Sequence, residues 1–296
     1  MLGELAALAT AFCWSFGSLF FTSGGREIGA LNVNRIRLVF GVILLGLALL
    51  ITEGWLIQPD APLKNIGYLT LSGLIGLVIG DSFLFTAMVM IGPRLTLLIF
   101  SLSPAIAAVT AWIFMGETLE LVAIVGIAVT LAGVIWVSAE RPMKGVKQVN
   151  QISARGVILA FLGGVGQAVG IVFAKMGMAD VINPLAGTFI RMLASAAIIW
   201  VISIFTGKFV KTIQAMHNKR GVALSFGGAV FGPFLGVTLS LTAVKYTEAG
   251  VAMAIMSIVP VLVIPWVMIF YKEKVSIRAF MGALVAVAGV FILFLH

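Results

Sequence analysis

The sequence predicts an all-α integral membrane protein whose ten transmembrane helices form two inverted five-helix repeats. Three observations carry this prediction: the composition, ten apolar runs, and a pattern that recurs at an offset of 156 residues. Of the 296 residues, 61% are hydrophobic and only 10% are charged, whereas a soluble domain carries roughly 25% charged residues. Such a chain cannot cover itself with a water-facing surface, so we expect the lipid bilayer to be its solvent.

Ten apolar runs are long enough to cross the hydrocarbon core, which takes about 20 residues of α-helix. They lie near 3–23, 32–52, 66–91, 95–115, 119–138, 155–174, 184–206, 221–244, 248–270 and 277–295. No Lys or Arg precedes the first run, which favours a membrane helix over a cleaved signal peptide. The connections are too short for a soluble domain, and no Gly-x-x-x-x-Gly-Lys-Ser/Thr motif indicates ATP hydrolysis.

The distribution of Lys and Arg predicts the orientation. Fifteen of the 19 lie in or near loops that follow odd-numbered helices, and four lie in the other loops. The positive-inside rule then places the odd loops in the cytoplasm and both termini outside, in an inner or plasma membrane. The net charge of +8 is therefore explained by orientation, and we expect no nucleic-acid partner. Two histidines and one cysteine exclude a His-rich metal cluster and an internal disulfide, and we expect no metal and no cofactor.

The two halves of the chain resemble each other. At an offset of 156 residues, Arg35 falls on Arg191, Gly76 on Gly232, Gly80 on Gly236, Ser101 on Ser257, Pro104 on Pro260 and Glu117 on Glu273. We therefore divide the chain into a first repeat (1–138), a cytoplasmic linker (139–154) and a second repeat (155–296). Since five is odd, the second copy enters the membrane from the opposite side. Inverted repeats allow a site near the midplane to open to either face; an inert duplicated bundle is the structural alternative.

The repeated motif resembles a known family. It consists of Ala87, Pro104, Glu117, Gly126 and Gly133-Val134 in residues 85–137, and of Ala243, Pro260, Glu273, Gly282 and Gly289-Val290 in residues 242–294. Over essentially the whole chain this pattern is similar to the EamA domain of the drug/metabolite transporter superfamily. Trp14, Arg35 and Arg191 also resemble the family pattern.

The resemblance implies a carrier rather than an enzyme. We expect a transporter of small polar metabolites, amino acids or related compounds, that exports its substrate by alternating access, with proton coupling as a further hypothesis. Its partners would be a small-molecule substrate and the lipid bilayer, and it would be a monomer or a homodimer. A non-catalytic membrane scaffold or a lipid-handling protein of the same fold is the alternative.

Asp81 is the most informative residue, because it interrupts the apolar stretch IGDSFLFTAM. A carboxylate inside a bilayer costs at least about 2.5 kcal/mol, so it should face the bundle interior or a wet cavity. It either pairs structurally, with Arg37, Lys245 or a backbone amide, or binds a substrate amino group or carries a coupling proton. Phe85 shares its helical face.

The complete candidate cavity set adds residues at matching depth and at helix breaks. Trp14 and Gln167 lie at equivalent depth in the first and sixth helices. Pro104 and Pro260 interrupt the fourth and ninth helices, as kinks, as hinges or as sources of a bare carbonyl. Ser101 and Ser257 lie one turn earlier and are expected to bond the freed backbone. The set is Trp14, Asp81, Phe85, Ser101, Pro104, Gln167, Ser257 and Pro260.

Other repeated residues suggest structural roles. Gly76-x-x-x-Gly80 and Gly232-x-x-x-Gly236 predict close helix packing. The heptad glycines 126/133 and 282/289 predict a second seam, either internal or between two chains. Glu117 and Glu273 should stabilise the N-terminus of the helix that follows each of them. For the intrahelical arginines Arg35, Arg37 and Arg191, we expect snorkelling to headgroups, with attraction of anionic substrate groups as the alternative.

Overall fold

The computed structural model describes residues 1–58, 60–139, 153–179, 181–259, 261–262, 265–266 and 277–294, and these residues contain helices and no β-strand. In chain order the helices are α1 Leu2–Ile28, α2 Ala30–Thr52, α3 Leu63–Ile91, α4 Pro93–Phe100, α5 Ser103–Met115, α6 Leu121–Ala139, α7 Ala154–Met178, α8 Pro184–Phe205, α9 Phe209–Ala215, α10 Lys219–Tyr246, α11 Ala249–Met256 and α12 Ile277–Phe294. Nearly all of the predicted linker lies outside this part of the chain.

Within the described residues, six helices are long and apolar enough to cross a membrane, namely α1, α2, α3, α7, α8 and α10. They coincide with the first, second, third, sixth, seventh and eighth predicted runs. Shorter apolar helices, Ser103–Met115, Leu121–Trp136 and Met281–Ile292, lie in the fourth, fifth and tenth runs. The all-helical membrane fold is therefore confirmed, while ten crossings and the inverted relation of the halves stay predictions.

Two helices contain a π-helical segment that the sequence analysis did not predict. In α3 it spans Gly73–Gly80, and in α10 it spans Val230–Val237. Pro233 lies inside the second segment and removes a backbone donor, which disturbs the normal α-helical bonding there. A π-turn also leaves carbonyls without their usual partner. In α3 two of these carbonyls accept side-chain hydrogen bonds in the site described below.

The breaks in the fourth and ninth helical regions lie slightly before the predicted prolines. The chain turns at residues 101–102, between α4 and α5, and again at residues 257–258, after α11. Pro104 occupies the first turn of α5, where proline needs no partner for its missing N–H. It therefore begins a helix rather than kinking one. Pro260 lies outside the described residues.

The packing of the helices joins the two halves. α1 packs against α10 and α3 against α7, while α2 packs against α8, α5 against α11 and α6 against α12. Exchanging each helix for its counterpart in the other half converts the α1–α10 pair into the α7–α3 pair and leaves the α2–α8 and α6–α12 pairs unchanged. The core therefore forms between the halves rather than within each one.

Glycines allow the closest of these contacts. A Cβ on Gly170 of α7 would lie 2.9 Å from the Cα of Gly76, and one on Gly166 would lie 2.8 Å from the Cα of Gly80. The packing role of Gly76-x-x-x-Gly80 is thus confirmed. The heptad seam is internal, because a Cβ on Gly133 of α6 would lie 2.2 Å from the nitrogen of Ala286 in α12.

Glu117 does not serve the helix that follows it. Its carboxylate accepts a hydrogen bond from the backbone N–H of Ala249, at 3.1 Å, and forms an ion pair with Lys175, at 2.5 Å. Lys175 also donates to the carbonyl of Thr247, at 2.7 Å. Glu117 therefore stabilises the first turn of α11 in the other half, which corrects the sequence prediction. Its counterpart Glu273 lies outside the described residues.

Arg35 is likewise held inside the protein rather than extended to headgroups. It is 6% exposed, and its Nη1 donates to Asn32 Oδ1 and Thr212 Oγ1, both at 3.0 Å. Thr212 belongs to the short helix α9, so this arginine attaches α9 to α2. The snorkelling prediction is wrong here, because the side chain is buried and two side-chain oxygens accept hydrogen bonds from its Nη1.

We predict that Gly133→Ala destabilises the protein by about 1–3 kcal/mol, because the added methyl group overpacks a backbone contact. Gly67→Ala in α3 is the matched control, since nothing lies within 4 Å of its Cβ position. Thermal unfolding in detergent measures both variants. Equal stability of the two variants would contradict the close α6–α12 seam.

We predict that Glu117→Ala lowers stability by about 1–2 kcal/mol, because it removes both the ion pair and the bond to the Ala249 N–H. Glu117→Gln should lose less, since its amide oxygen still accepts from that N–H. Unfolding in detergent at low and high salt measures both, and identical losses would show that the N–H bond contributes nothing.

Candidate functional site

A fully buried ion pair lies at the centre of the candidate site. Arg37 of α2 donates from Nη2 to Asp81 Oδ2 of α3, and both side chains are 0% exposed. Arg37 also donates from Nε to Asn34 Oδ1, at 3.0 Å. The Asn34 amide donates in turn to the Leu77 carbonyl and to Ser82 Oγ, both at 3.1 Å. The structural pairing of Asp81 with Arg37 is therefore present, and it ties α2 to the π segment of α3.

Two aromatic rings enclose the guanidinium of Arg37. Its Cζ lies 5.3 Å from the ring centroid of Phe21 and 4.7 Å from that of Phe85. The two rings stack on each other with centroids 4.6 Å apart. Cation–π contacts of this kind compensate a cation that has left water. Phe85 therefore serves Arg37 in this structure.

Gln167 of α7 connects the second half of the chain to Asp81. Its Nε2 donates both to Asp81 Oδ1 and to the carbonyl of Gly76, the latter at 3.1 Å. The carbonyl accepts only, and so does the carboxylate of an ion pair, so the amide orientation follows from the contacts. Both amide hydrogens are used, and Oε1 remains as the free polar atom of this side chain.

Arg191 adds a second buried cation. It lies in α8 and is 1% exposed, and its Nε and Nη1 have no partner within the described part of the chain. Gly76 leaves room for it, since a Cβ there would lie 3.3 Å from Arg191 Nη2 and 3.8 Å from Gln167 Oε1. Two guanidiniums thus accompany one carboxylate, and the cluster carries a net charge of +1.

Snorkelling is therefore the wrong prediction for Arg37 and Arg191 as well. Both lie about two turns inside their helices, at the level of Asp81 and the π segment. For a cation placed there, an opposite charge and polarised carbonyls are closer than the headgroup region. The predicted helix starts, 32 and 184, lie within two residues of the observed ones, so the error concerned the direction of the two side chains and not the bounds of the helices.

A cavity lies beside this cluster, between helices of both halves. It is lined by Thr10, Trp14, Ser18, Leu84, Met88, Leu97, Phe100, Gln167, Ile171, Ser240, Met253, Met256, Ser257 and Val259. Most of these side chains are apolar, and no charged side chain is among them. Gln167 alone belongs both to the cavity wall and to the ion-pair network. A mostly apolar lining with a few polar groups is the usual lining of a small-molecule site.

The candidate residues occupy different layers around this cavity. Trp14, Gln167 and Ser257 line it. Asp81 and Phe85 lie behind Gln167 and Arg37, out of direct contact with the cavity. Ser101 and Pro104 are buried at the α4–α5 break but do not line the cavity, and Pro260 lies outside the described residues.

Sequence analysis identified Ser257 but missed the other hydroxyl groups of the wall, those of Thr10, Ser18 and Ser240, and the methionines. Thr10, Trp14 and Ser18 follow one another at intervals of four in α1, which places them on one face of the helix. That spacing was the available signal. Met88, Met253 and Met256 carried no such signal, because an apolar residue in a membrane helix faces lipid as readily as a cavity.

Comparisons with known proteins agree with this architecture. The model of the EamA-like transporter family matches residues 1–139 and 154–295. An uncharacterized transporter of Archaeoglobus fulgidus is 24% identical over 302 residues, covering 100% of this chain and 99% of the relative. A solved crystal structure superimposes with a TM-score of 0.71 at 19% identity, covering 99% of this chain and 96% of the other; this likeness concerns the fold.

We predict that Arg37→Leu destabilises the protein by about 3–5 kcal/mol, because it leaves the carboxylate of Asp81 buried without its partner. The double variant Arg37→Leu/Asp81→Leu should recover part of that loss, since it removes both charges. Thermal unfolding in detergent and the yield of folded protein are measured for the wild type, for each single variant and for the double variant. Additive losses from the two single variants would show that the pair is not coupled.

Proposed function

Because this chain belongs to the EamA-like transporter family, it is a membrane transporter, and we propose that it exports small polar metabolites, amino acids or related compounds, by alternating access. The observation that carries the proposal is the cavity between the two halves, with Gln167 connecting its wall to a buried ion pair. A bundle without a transported ligand has no need for a charged network at this depth, because such groups are expensive in a membrane.

The packing of the helices supports alternating access around this cavity. Each half contributes lining residues from its first, third and fourth helical regions, and the pairs α1–α10 and α3–α7 exchange under the same two-fold relation as the others. Two halves related in this way, in opposite orientation, expose a shared site to one face and then to the other. The network of Glu117, Lys175 and Thr247 joins both halves at one face and has to separate when that face opens.

A screen against purified protein tests the substrate class. Amino acids, sugars and nucleotides are added in turn, and the shift in thermal unfolding in detergent is measured, because a bound ligand stabilises the folded state by mass action. We expect stabilisation by a subset of amino acids or related compounds, and flux of the same solutes in proteoliposomes. Absence of flux for every stabilising solute would contradict a carrier and favour a scaffold or lipid-handling protein.

Proton coupling through Asp81 is the more specific part of the proposal. Asp81 is the acid of the buried network, where Arg37, Arg191 and Gln167 surround it. Proton uptake there would release Arg37 and the Gln167 amide from the same carboxylate. The network then has two charge states, which is what coupling of a proton to a conformational change requires.

We predict that Asp81→Asn abolishes the pH dependence of transport while the protein still folds. Uptake of the identified substrate into proteoliposomes between about pH 5 and pH 8 measures this. Asp60→Asn, the same change at an exposed position, is the control. An Asp81→Asn protein that keeps the pH profile of the wild type would show that the proton is carried elsewhere.

A further inference from the structure

The hydroxyl groups of the cavity wall donate their hydrogen atoms to backbone carbonyls of their own helices. Thr10 donates to the carbonyl of Ala6 at 2.8 Å, and Ser18 donates to that of Ser15 at 2.9 Å. Ser240 and Ser257 do the same, with the carbonyls of Val237 at 2.8 Å and Ala254 at 2.7 Å. A hydroxyl has a single hydrogen and a carbonyl has none to offer. Each of these four oxygens is therefore left with lone pairs only.

Gln167 likewise has no side-chain hydrogen left to donate to a ligand. Both hydrogens of its amide go to acceptors behind the wall, Asp81 Oδ1 and the Gly76 carbonyl. Its Oε1 is the atom left for a ligand, and it accepts only. The indole N–H of Trp14 is then the one side-chain hydrogen-bond donor among the described lining residues.

We propose that this acceptor-lined wall selects solutes by their N–H groups: the part of the substrate that enters the cavity is an apolar group that carries hydrogen-bond donors. The inference deepens the proposed transport function and rests on it. The aromatic, methionine and aliphatic side chains receive the apolar group, and the oxygens of Thr10, Ser18, Ser240, Ser257 and Gln167 receive the donors.

The buried charges decide between a neutral and a cationic donor. Arg37 and Asp81 compensate each other, so the charge of Arg191 remains behind the wall near Gln167. A positive charge in a medium of low dielectric disfavours a second cation nearby. A carboxylate would meet a single donor, the Trp14 N–H, among oxygen lone pairs, and no charged side chain in the described wall. A neutral N–H group is therefore preferred over both an ammonium and a carboxylate.

Asp81 acts here as a positioning residue. Its carboxylate accepts from Gln167 Nε2 and so prevents the amide from turning its hydrogens toward the cavity. An asparagine at position 81 has both a donor and an acceptor, so position 81 no longer fixes the Gln167 amide, and only the Gly76 carbonyl still holds it. The wall of that variant adapts to acceptors as well as donors.

Four benzene derivatives test the selection on purified wild-type protein: aniline (neutral N–H donor), N,N-dimethylaniline (no donor), benzylamine (cation) and benzoate (anion). Titration calorimetry in detergent at neutral pH measures their affinities. We expect aniline to bind at least about fivefold more tightly than N,N-dimethylaniline, the effect of one lost hydrogen bond, and more tightly than either charged probe. Equal or tighter binding of N,N-dimethylaniline or benzoate, or binding of none of the four, would overturn the proposal.

The comparison of benzylamine with aniline shows whether the cavity prefers an N–H donor on a cation or on a neutral group. Weaker binding than aniline supports selection of neutral donors, as the charge of Arg191 predicts. Tighter binding than aniline would overturn that charge preference and assign the oxygens to an ammonium instead.

Variants attribute the selection to particular atoms. Ser257→Ala and Gln167→Met should each narrow the ratio of aniline to dimethylaniline affinity. Ser225→Ala is the matched control, because Ser225 is buried, makes the same kind of bond to the Gly221 carbonyl at 2.8 Å, and does not line the cavity. Comparing ratios also cancels the partitioning of the probes into detergent. An equal change of the ratio in the control would overturn the assignment.

The Asp81→Asn variant distinguishes the positioning role of Asp81 from general structural damage. We expect the affinity for aniline to fall toward that for dimethylaniline, with the latter unchanged; a parallel loss of both would overturn the positioning role. The proposed transport function fails separately, if proteoliposomes show no flux of any solute. Flux without donor selectivity overturns the present inference and leaves the carrier intact.

Discussion

A carboxylate buried in a membrane protein requires a compensating charge, and the pairing of Asp81 with Arg37 meets this requirement at the centre of the bundle. The pair fixes the distance between α2 and α3, and it needs the π segment of α3, whose Leu77 carbonyl anchors the Asn34 amide beside Arg37. Phe21 and Phe85 then close over the guanidinium. The need to compensate one buried carboxylate thus determines which residues lie in this part of α1, α2 and α3.

The same requirement extends into the second half through Gln167. Its amide donates to Asp81, and the same residue lines a cavity whose wall is mostly apolar. The close contact of α7 with α3 depends on Gly166 and Gly170, which meet Gly80 and Gly76 without side chains between them. The glycine seam therefore sets how closely the second half approaches the ion pair, and hence where the cavity wall lies.

Much of the fold was predictable from the sequence, because the length of an apolar run and the spacing of glycines can be read from a short stretch of the chain. Six long apolar helices and the Gly76-x-x-x-Gly80 contact follow from these signals alone. The site was less predictable. Asp81, Trp14 and Gln167 were identified, since a charge or amide among apolar residues is visible without a structure. The π segments, the partner of Glu117 and three of the four wall hydroxyls were not, because the role of each depends on residues distant in sequence.

The network at Glu117 has an unequal counterpart at the opposite face. In the proposed two-fold arrangement, Thr22 occupies the position of Lys175, and Pro93, which lacks an N–H, that of Ala249. Thr22 Oγ1 has no hydrogen-bond partner among the described residues. In that arrangement, the two positions that Lys175 and Ala249 fill in the network at one face hold residues of different chemistry, Thr22 and Pro93, at the other. Under the proposed alternating access, this difference would favour molecules sealed on the Glu117 side, and a transported solute would have to bind more tightly to the opposite state to shift that population.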